Sequence, residues 1–247
     1  MIKSGKNSIS GSTLKLIAMA AMLADHAAVV FLEDAAVSAL ADAALFRGLS
    51  LLVTGKLFSF GAPATLYIVG RLVGRLAFPI FAFLITEGFR HTRNVKKYAL
   101  RLAVFAAVSE IPFNLIAAGE PFSLEYQNIF FTLLLGLAAT AVVSGEGKEP
   151  LRIAASALIA LSASFLNTDY GAYGVFIIVL FYLTSSRRVL RNCLCGCALL
   201  IQLTAPLSLL PINAYNGKRG LNLKYVFYVF YPAHLLMLYF INELIIR

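Results

Sequence analysis

The chain has 247 residues, of which 60% are hydrophobic and 13% charged; a soluble fold of that size cannot bury so much apolar surface. Its net charge of +9 would suit nucleic acid, but the basic residues fall in short segments between apolar runs, where membrane topology places them, so no nucleic-acid partner is expected. Cys193, Cys195 and Cys197 read Cys-Leu-Cys-Gly-Cys without the further ligands a zinc site needs, so no metal is expected either.

Apolar runs predict an all-α, polytopic transmembrane bundle of about eight spans: 14–32, 65–89, 97–118, 127–143, 151–167, 170–185, 189–210 and 223–246. The whole chain, 1–247, reads as one integral-membrane domain in the lipid bilayer. No small-residue cleavage site follows the first run, which reads as a retained span. Spans five and six are short and tightly joined through Asn167-Thr168-Asp169-Tyr170-Gly171. Residues 35–60 are apolar enough to tempt a ninth span, but that would reverse everything downstream. They read as an outer-surface or re-entrant insert with Asp42 and Arg47 as its polar side.

Orientation follows from the cations. With the N-terminus inside, the inner segments hold Lys3, Lys6, Lys15, Arg90, Arg93, Lys96, Lys97, Arg101, Lys148, Arg152, Arg187, Arg188, Arg191 and Arg247. The outer segments hold Arg47, Lys56, Lys218, Arg219 and Lys224. This bias predicts cytoplasmic N- and C-termini and a multi-pass protein of a bacterial cytoplasmic membrane.

Arg71 and Arg75 remain, inside the second span. Four residues apart, they share one helix face and repel unless acids or an anionic ligand compensate them. Gly70 and Gly74, at the same spacing, read as a close helix contact. Depth along the helices places other polar groups in one layer, in the outer half of the membrane. It holds Asp25 and His26 of the first span, Glu110 and Asn114 of the third, and Gln127 and Asn128 opening the fourth. Asp169 and Tyr170 sit in the turn before the sixth, Asn216 in the turn before the last, and Tyr231 and His234 within the last span. Ionisable groups at such depth face the bundle interior and mark a functional site by default. The bland alternative is mutual neutralisation, with Asp25 or Glu110 against Arg71 or Arg75. Pro79 and Pro112 read as helix kinks. Glu87 pairs with Arg90 or Arg93, and His91 is solvated.

His26 is the acid–base candidate, with Asp25, Glu110 or another span to orient it. Asp25 is adjacent in sequence but points about 100° away around a helix. Arg71, Arg75, Lys218 and Arg219 make an anion-binding face. These residues fit group transfer involving an anionic substrate, and equally an anion- or proton-coupled transporter.

The segments "LKLIAMAAMLADHAAVVF", "GRLAFPIFAFLITEGFRHTRN", "KKYALRLAVFAAVSEIPFN", "QNIFFTLLLG", "DYGAYG", "YNGKRG" and "KYVFYVFYPAHLLML" resemble, in order, the blocks of the TraX family, from residue 14 to 246. The resemblance implies membrane acetyl transfer from acetyl-CoA to a peptide or glycan acceptor. The family is named for a conjugation protein that acetylates the pilin N-terminus, and it is similar to transmembrane acyltransferases with a first-span histidine. On that reading His26 is the base, or alternatively carries the acetyl group as a covalent relay; Asp25 or Glu110 orients it, and His234 is a second catalytic member. Arg71, Arg75, Lys218 and Arg219 bind cofactor phosphates or the developing oxyanion. Asn114, Gln127, Asn128, Asp169, Tyr170, Asn216 and Tyr231 contact substrate. The remaining rival is a non-enzymatic component of a secretion or conjugation assembly.

Overall fold

The computed structural model describes residues 8–41, 61–222 and 224–246. The expected insert at 35–60 lies outside the described residues from 42 onward; its first part continues the first helix. Among the described residues the chain is all helical, with extended pairing limited to isolated bridges between Ile9 and Tyr215 and between Gln127 and Thr168.

The helices are α1, Gly11–Ala41; α2, Ala62–Gly74; α3, Ala77–His91; α4, Val95–Ala117; α5, Ile129–Ser144; and α6, Glu149–Phe165. α7 is Gly171–Leu183, α8 Arg188–Leu199, α9 Leu209–Ala214 and α10 Lys224–Ile246, with short 3₁₀ turns at Leu200–Gln202 and Ala205–Ser208. A helix satisfies its own backbone hydrogen bonds, which is why apolar runs adopt it where no water is available. Four stretches are long and apolar enough to cross a membrane: Gly11–Asp34, Ala62–His91, Val95–Ala117 and Tyr225–Ile245. Shorter apolar helices accompany them, among them α5 and α7.

Local sequence sets the boundaries. Asn94 opens α4 by accepting from the Lys97 amide at 2.8 Å, and Asn128 opens α5 by accepting from the Phe130 amide at 3.0 Å. Pro79 has no N–H to offer the Arg75 carbonyl, and the helix breaks there into α2 and α3. α7 lies in the middle of the bundle, with Val175, Ile177, Ile178 and Phe181 fully buried. Large apolar side chains such as Leu100, Leu158 and Ile201 cover the outside, as a lipid-facing surface requires.

α1 and α2 run antiparallel in close contact. A Cβ on Gly70 would strike Ala28 and Ala24, and one on Gly74 would strike the Asp25 side chain. The small-residue reading of Gly70 and Gly74 therefore holds.

The seventh predicted span, 189–210, does not run through the bundle. α8 goes in, the chain turns at Leu203 with the left-handed φ of 55°, and α9 returns. At the open end of this hairpin Arg191 Nη2 donates to Asn213 Oδ1 at 2.8 Å, and Arg188 Nε donates to the same oxygen at 3.2 Å. At its tip Thr204 Oγ1 donates to the Leu72 carbonyl at 2.6 Å. An element that folds back leaves the chain on the side where it started. Segment 215–221 therefore lies beside the start of α1, not at the opposite end as expected. Gly11 and Ser12 donate their amides to the Lys218 and Arg219 carbonyls at 2.8 and 2.9 Å, which caps α1.

The same return corrects the expectation that both termini share a side. α10 starts next to α1 and runs parallel to it. Lys15 Nζ lies 4.6 Å from the Phe227 ring centre near both starts, and His26 meets His234 further along. Ile246 thus ends opposite the start of α1. Lys218 and Arg219 move to the α1-start end. Apart from Arg71 and Arg75, every lysine and arginine position among the described residues now lies at that end. Glu33, Asp34, Glu120, Glu125 and Asp169 lie at the other.

Candidate active site

A cavity of about 550 Å³ enters the bundle from the basic end. Lys15, His91, Arg101 and Arg219 line its outer part; Asp25, His26, Gly74, Asp169, Tyr170 and Tyr231 line its depth. Helix α1 supplies Asp25 and His26, α10 supplies Tyr231 and His234, and the turn before α7 supplies Asp169 and Tyr170.

The centre of the site is a pair of histidines. His26 Nδ1 is 2.7 Å from His234 Nε2, with the two rings within 5° of parallel. His234 Nδ1 is 2.8 Å from the Phe230 carbonyl, one turn earlier on α10. That oxygen only accepts, so His234 Nδ1 carries the hydrogen. His234 Nε2 of the neutral ring is then an acceptor, and His26 Nδ1 must donate to it. The lone pair of His26 is thereby fixed on Nε2, which has no hydrogen-bond partner among the described residues, on a ring that lines the cavity. Tyr231 packs edge-on to both rings, with centroids 6.1 Å from His26 and 5.6 Å from His234. The sequence pointed to both histidines and offered Asp25, Glu110 or a residue of another span to orient His26; the group hydrogen-bonded to its ring is His234, on another span.

Asp25 faces Arg71, with Oδ1 2.9 Å from Nη1, so the pairing alternative holds for these two. Arg75 lies against the Tyr170 hydroxyl. Neither arginine lines the main cavity. They line a separate cleft of about 340 Å³ between α2 and the hairpin tip.

Asp169 is held by the tie between two turns. Gln127 and Asp169 share a backbone hydrogen bond of 2.9 Å, the Tyr126 hydroxyl donates to Asp169 Oδ1 at 2.8 Å, and the Thr132 hydroxyl donates to the Asp169 carbonyl. Burial pushes the Asp169 carboxyl up to about 6, against the lowering effect of the Tyr126 hydrogen bond. Tyr170 takes a left-handed φ of 66° and stacks on Phe78 at 4.0 Å. Such a conformation in a tyrosine is strained and needs its surroundings to hold it.

Glu110, Asn114 and Asn128 are brought together, but outside the cavity. Glu110 accepts from the Asn128 amide at 3.1 Å and also from the Asn128 side chain, and Asn114 Nδ2 donates to it at 3.4 Å. This cluster fastens α4 to the start of α5. Gln127 Nε2 donates to the Leu124 carbonyl at 3.1 Å, holding its own loop. Asn216 accepts from the Lys218 amide at 2.9 Å and shapes the turn whose Arg219 reaches the cavity. Among cavity residues that the sequence left out, Arg101 carried a signal: it sits inside α4 and not in the preceding loop.

The family model described as TraX protein matches residues 10–242. A Dichelobacter nodosus protein named "Probable fimbrial assembly protein FimC, serogroup H1" is 30% identical over 259 residues, covering 93% of this chain and 94% of its own. No solved structure matches. With the family pattern covering nearly all of its length and both histidines, the chain belongs to the TraX family.

Proposed function

We propose that the protein is an acetyl-CoA-dependent acetyltransferase of the bacterial cytoplasmic membrane. The observation that carries this reading is the tautomer chain from the Phe230 carbonyl through His234 to His26, which leaves an unprotonated nitrogen, unpartnered among the described residues, at the depth of a cavity with a cationic entrance. A base in that position suits proton removal from an attacking nucleophile. The volume suits a small-molecule site.

The basic end faces the cytoplasm by the positive-inside rule, which puts the cavity entrance on the side where acetyl-CoA is made. Lys15, Arg101 and Arg219 bind the phosphates of the donor there. The pantetheine arm reaches inward and sets the thioester beside His26. The acceptor nitrogen or oxygen bonds to the thioester carbonyl carbon while its proton passes to His26 Nε2. The carbon–sulfur bond breaks, and the leaving thiolate recovers that proton from His26. His234 holds the imidazole in the required tautomer throughout. The acceptor, a peptide such as a pilin N-terminus or a surface glycan, approaches from the acidic end, where Asp169 and Tyr170 line the cavity. The relative's fimbrial-assembly name fits an acceptor of the pilin kind.

The test is transfer of labelled acetyl from acetyl-CoA by the purified protein in lipid discs, with pilin peptide and glycan offered separately. Acetyl-CoA turnover by the wild type and its loss in His26→Ala are expected. Full turnover in that variant would remove His26 from the role of base.

A further inference from the structure

Arg71 and Arg75 do not face the donor cavity; what they face is a second opening on the flank of α2. Two guanidinium groups carry ten N–H donors between them. Their described partners are Asp25 Oδ1 and the Tyr170 hydroxyl, and Arg75 makes no ion pair among the described residues. Asp25 and Asp169 balance Arg75 only at longer range. The surplus donors line a cleft whose other walls are Tyr67, Ile68, Leu72, Ile201 and Leu203. Ile201 and Leu203 are 79% and 46% exposed, so the cleft opens sideways, toward whatever surrounds α2. Gln202 also lines it, and its buried Oε1 has no donor among the described residues.

These features specify a ligand. The arginines call for a phosphate or carboxylate, held bidentately. The Gln202 oxygen calls for a hydroxyl or N–H beside that anion. The apolar walls and sideways opening call for an apolar body lying in the bilayer. Arg71 lies about 14 Å along α2 inward from Ala62 at the acidic end, and its guanidinium snorkels back toward a headgroup on that side.

We propose that this cleft is a binding site for an anionic phosphodiester headgroup that carries a hydroxyl, borne on a membrane lipid. Asp25 joins the cleft to the catalytic cavity, since it pairs with Arg71 on one side and lines the cavity beside His26 on the other. An occupied cleft therefore fixes the wall against which His26 works. The site stands independently of acetyl transfer.

Native mass spectrometry of the purified full chain tests it with three probes: phosphatidylglycerol, phosphatidylcholine and free glycerol 3-phosphate. Wild type is expected to retain phosphatidylglycerol about tenfold better than phosphatidylcholine. Arg75→Gln and, on the far wall, Gln202→Leu are expected each to erase most of that preference, and Arg75→Lys to keep part of it. Equal retention of the two lipids, or an unchanged preference in both Arg75→Gln and Gln202→Leu, overturns the site. Competition by equimolar glycerol 3-phosphate keeps the anion site and overturns its lipid source. Turnover enters none of these readings, so they stand or fall apart from the acetyltransferase reading.

Discussion

His26 Nδ1 donates to His234 Nε2 across 2.7 Å, and that bond decides which nitrogen of His26 can act as a base. His26→Ala removes the base and is expected to lower acetyl transfer by about 10²- to 10⁴-fold. His234→Ala leaves the base but frees its tautomer, for an expected loss of about 10- to 100-fold in kcat with little change in KM. His234→Gln keeps an acceptor for His26 Nδ1 and is expected to recover part of that loss. Steady-state kinetics on the three variants checks the order; equal activity of His234→Ala and His234→Gln would mean that acceptor chemistry at 234 is irrelevant.

The cationic entrance makes a second prediction about donors. Arg101→Gln and Arg219→Gln are expected to raise KM for acetyl-CoA about tenfold each, and to raise it less for acetyl-pantetheine, which lacks the nucleotide phosphates. Raised salt is expected to weaken acetyl-CoA use in the wild type more than in the double variant. Identical responses to the two donors would place the phosphates elsewhere.

Chain direction can be read by labelling. A cysteine at Gly217 is expected to react from the same side of the membrane as one at Asn94, and one at Ile245 from the opposite side. Labelling of 217 and 94 from opposite sides would restore a through-going seventh span.

Gly74 has Asp25 against it, in the space a β-carbon would occupy. Gly74→Ala is expected to cost roughly 1–3 kcal/mol by forcing α1 and α2 apart. It should also loosen the Asp25–Arg71 pair. Thermal unfolding in detergent measures the first, and a double-mutant cycle with Arg71→Gln the second.

Asp169 sits in a turn, and its carboxyl is raised to about 6 by burial. The folded state therefore binds the proton more tightly than the unfolded chain does. Stability from this group is full below the ordinary carboxylate range and falls as pH rises toward 6. Melting temperature between pH 4 and 7 is expected to show that decline in the wild type and a flatter profile in Asp169→Asn. A wild-type profile that rises over the same interval would contradict the assignment.

Much of the fold was legible because apolar length and helix formation go together when no water is available. The hairpin of α8 and α9 was not. Its 189–210 run is as long and apolar as a crossing, and length does not report direction. Pro206 within that run and Pro211 just past its end were the available signal. The error spread: one missed reversal put 215–221 at the wrong end and gave α10 the wrong direction. Depth along each helix put Asp25, His26, Tyr231 and His234 in one layer although α10 runs the other way, because positions near the middle of a span keep their height when the span is reversed. Height does not say which way a side chain points around its helix. Glu110 matched in height but turned to Asn128, and Arg71 and Arg75 turned to the flank.

The separation of cations from acids along the bundle has an electrical consequence. Among the described residues, all lysines and arginines except Arg71 and Arg75 lie at one end and outnumber Glu87, Glu146 and Glu149 there, while Glu33, Asp34, Glu120, Glu125 and Asp169 lie at the other, which leaves a permanent dipole across the bilayer. A membrane negative on the cytoplasmic side pulls that dipole into the orientation the positive-inside rule assigns. Each elementary charge carried fully across is worth about 2.3 kcal/mol per 100 mV. An energised membrane therefore favours the orientation that puts the cavity entrance on its negative side, and a chain inserted into a de-energised membrane loses that bias.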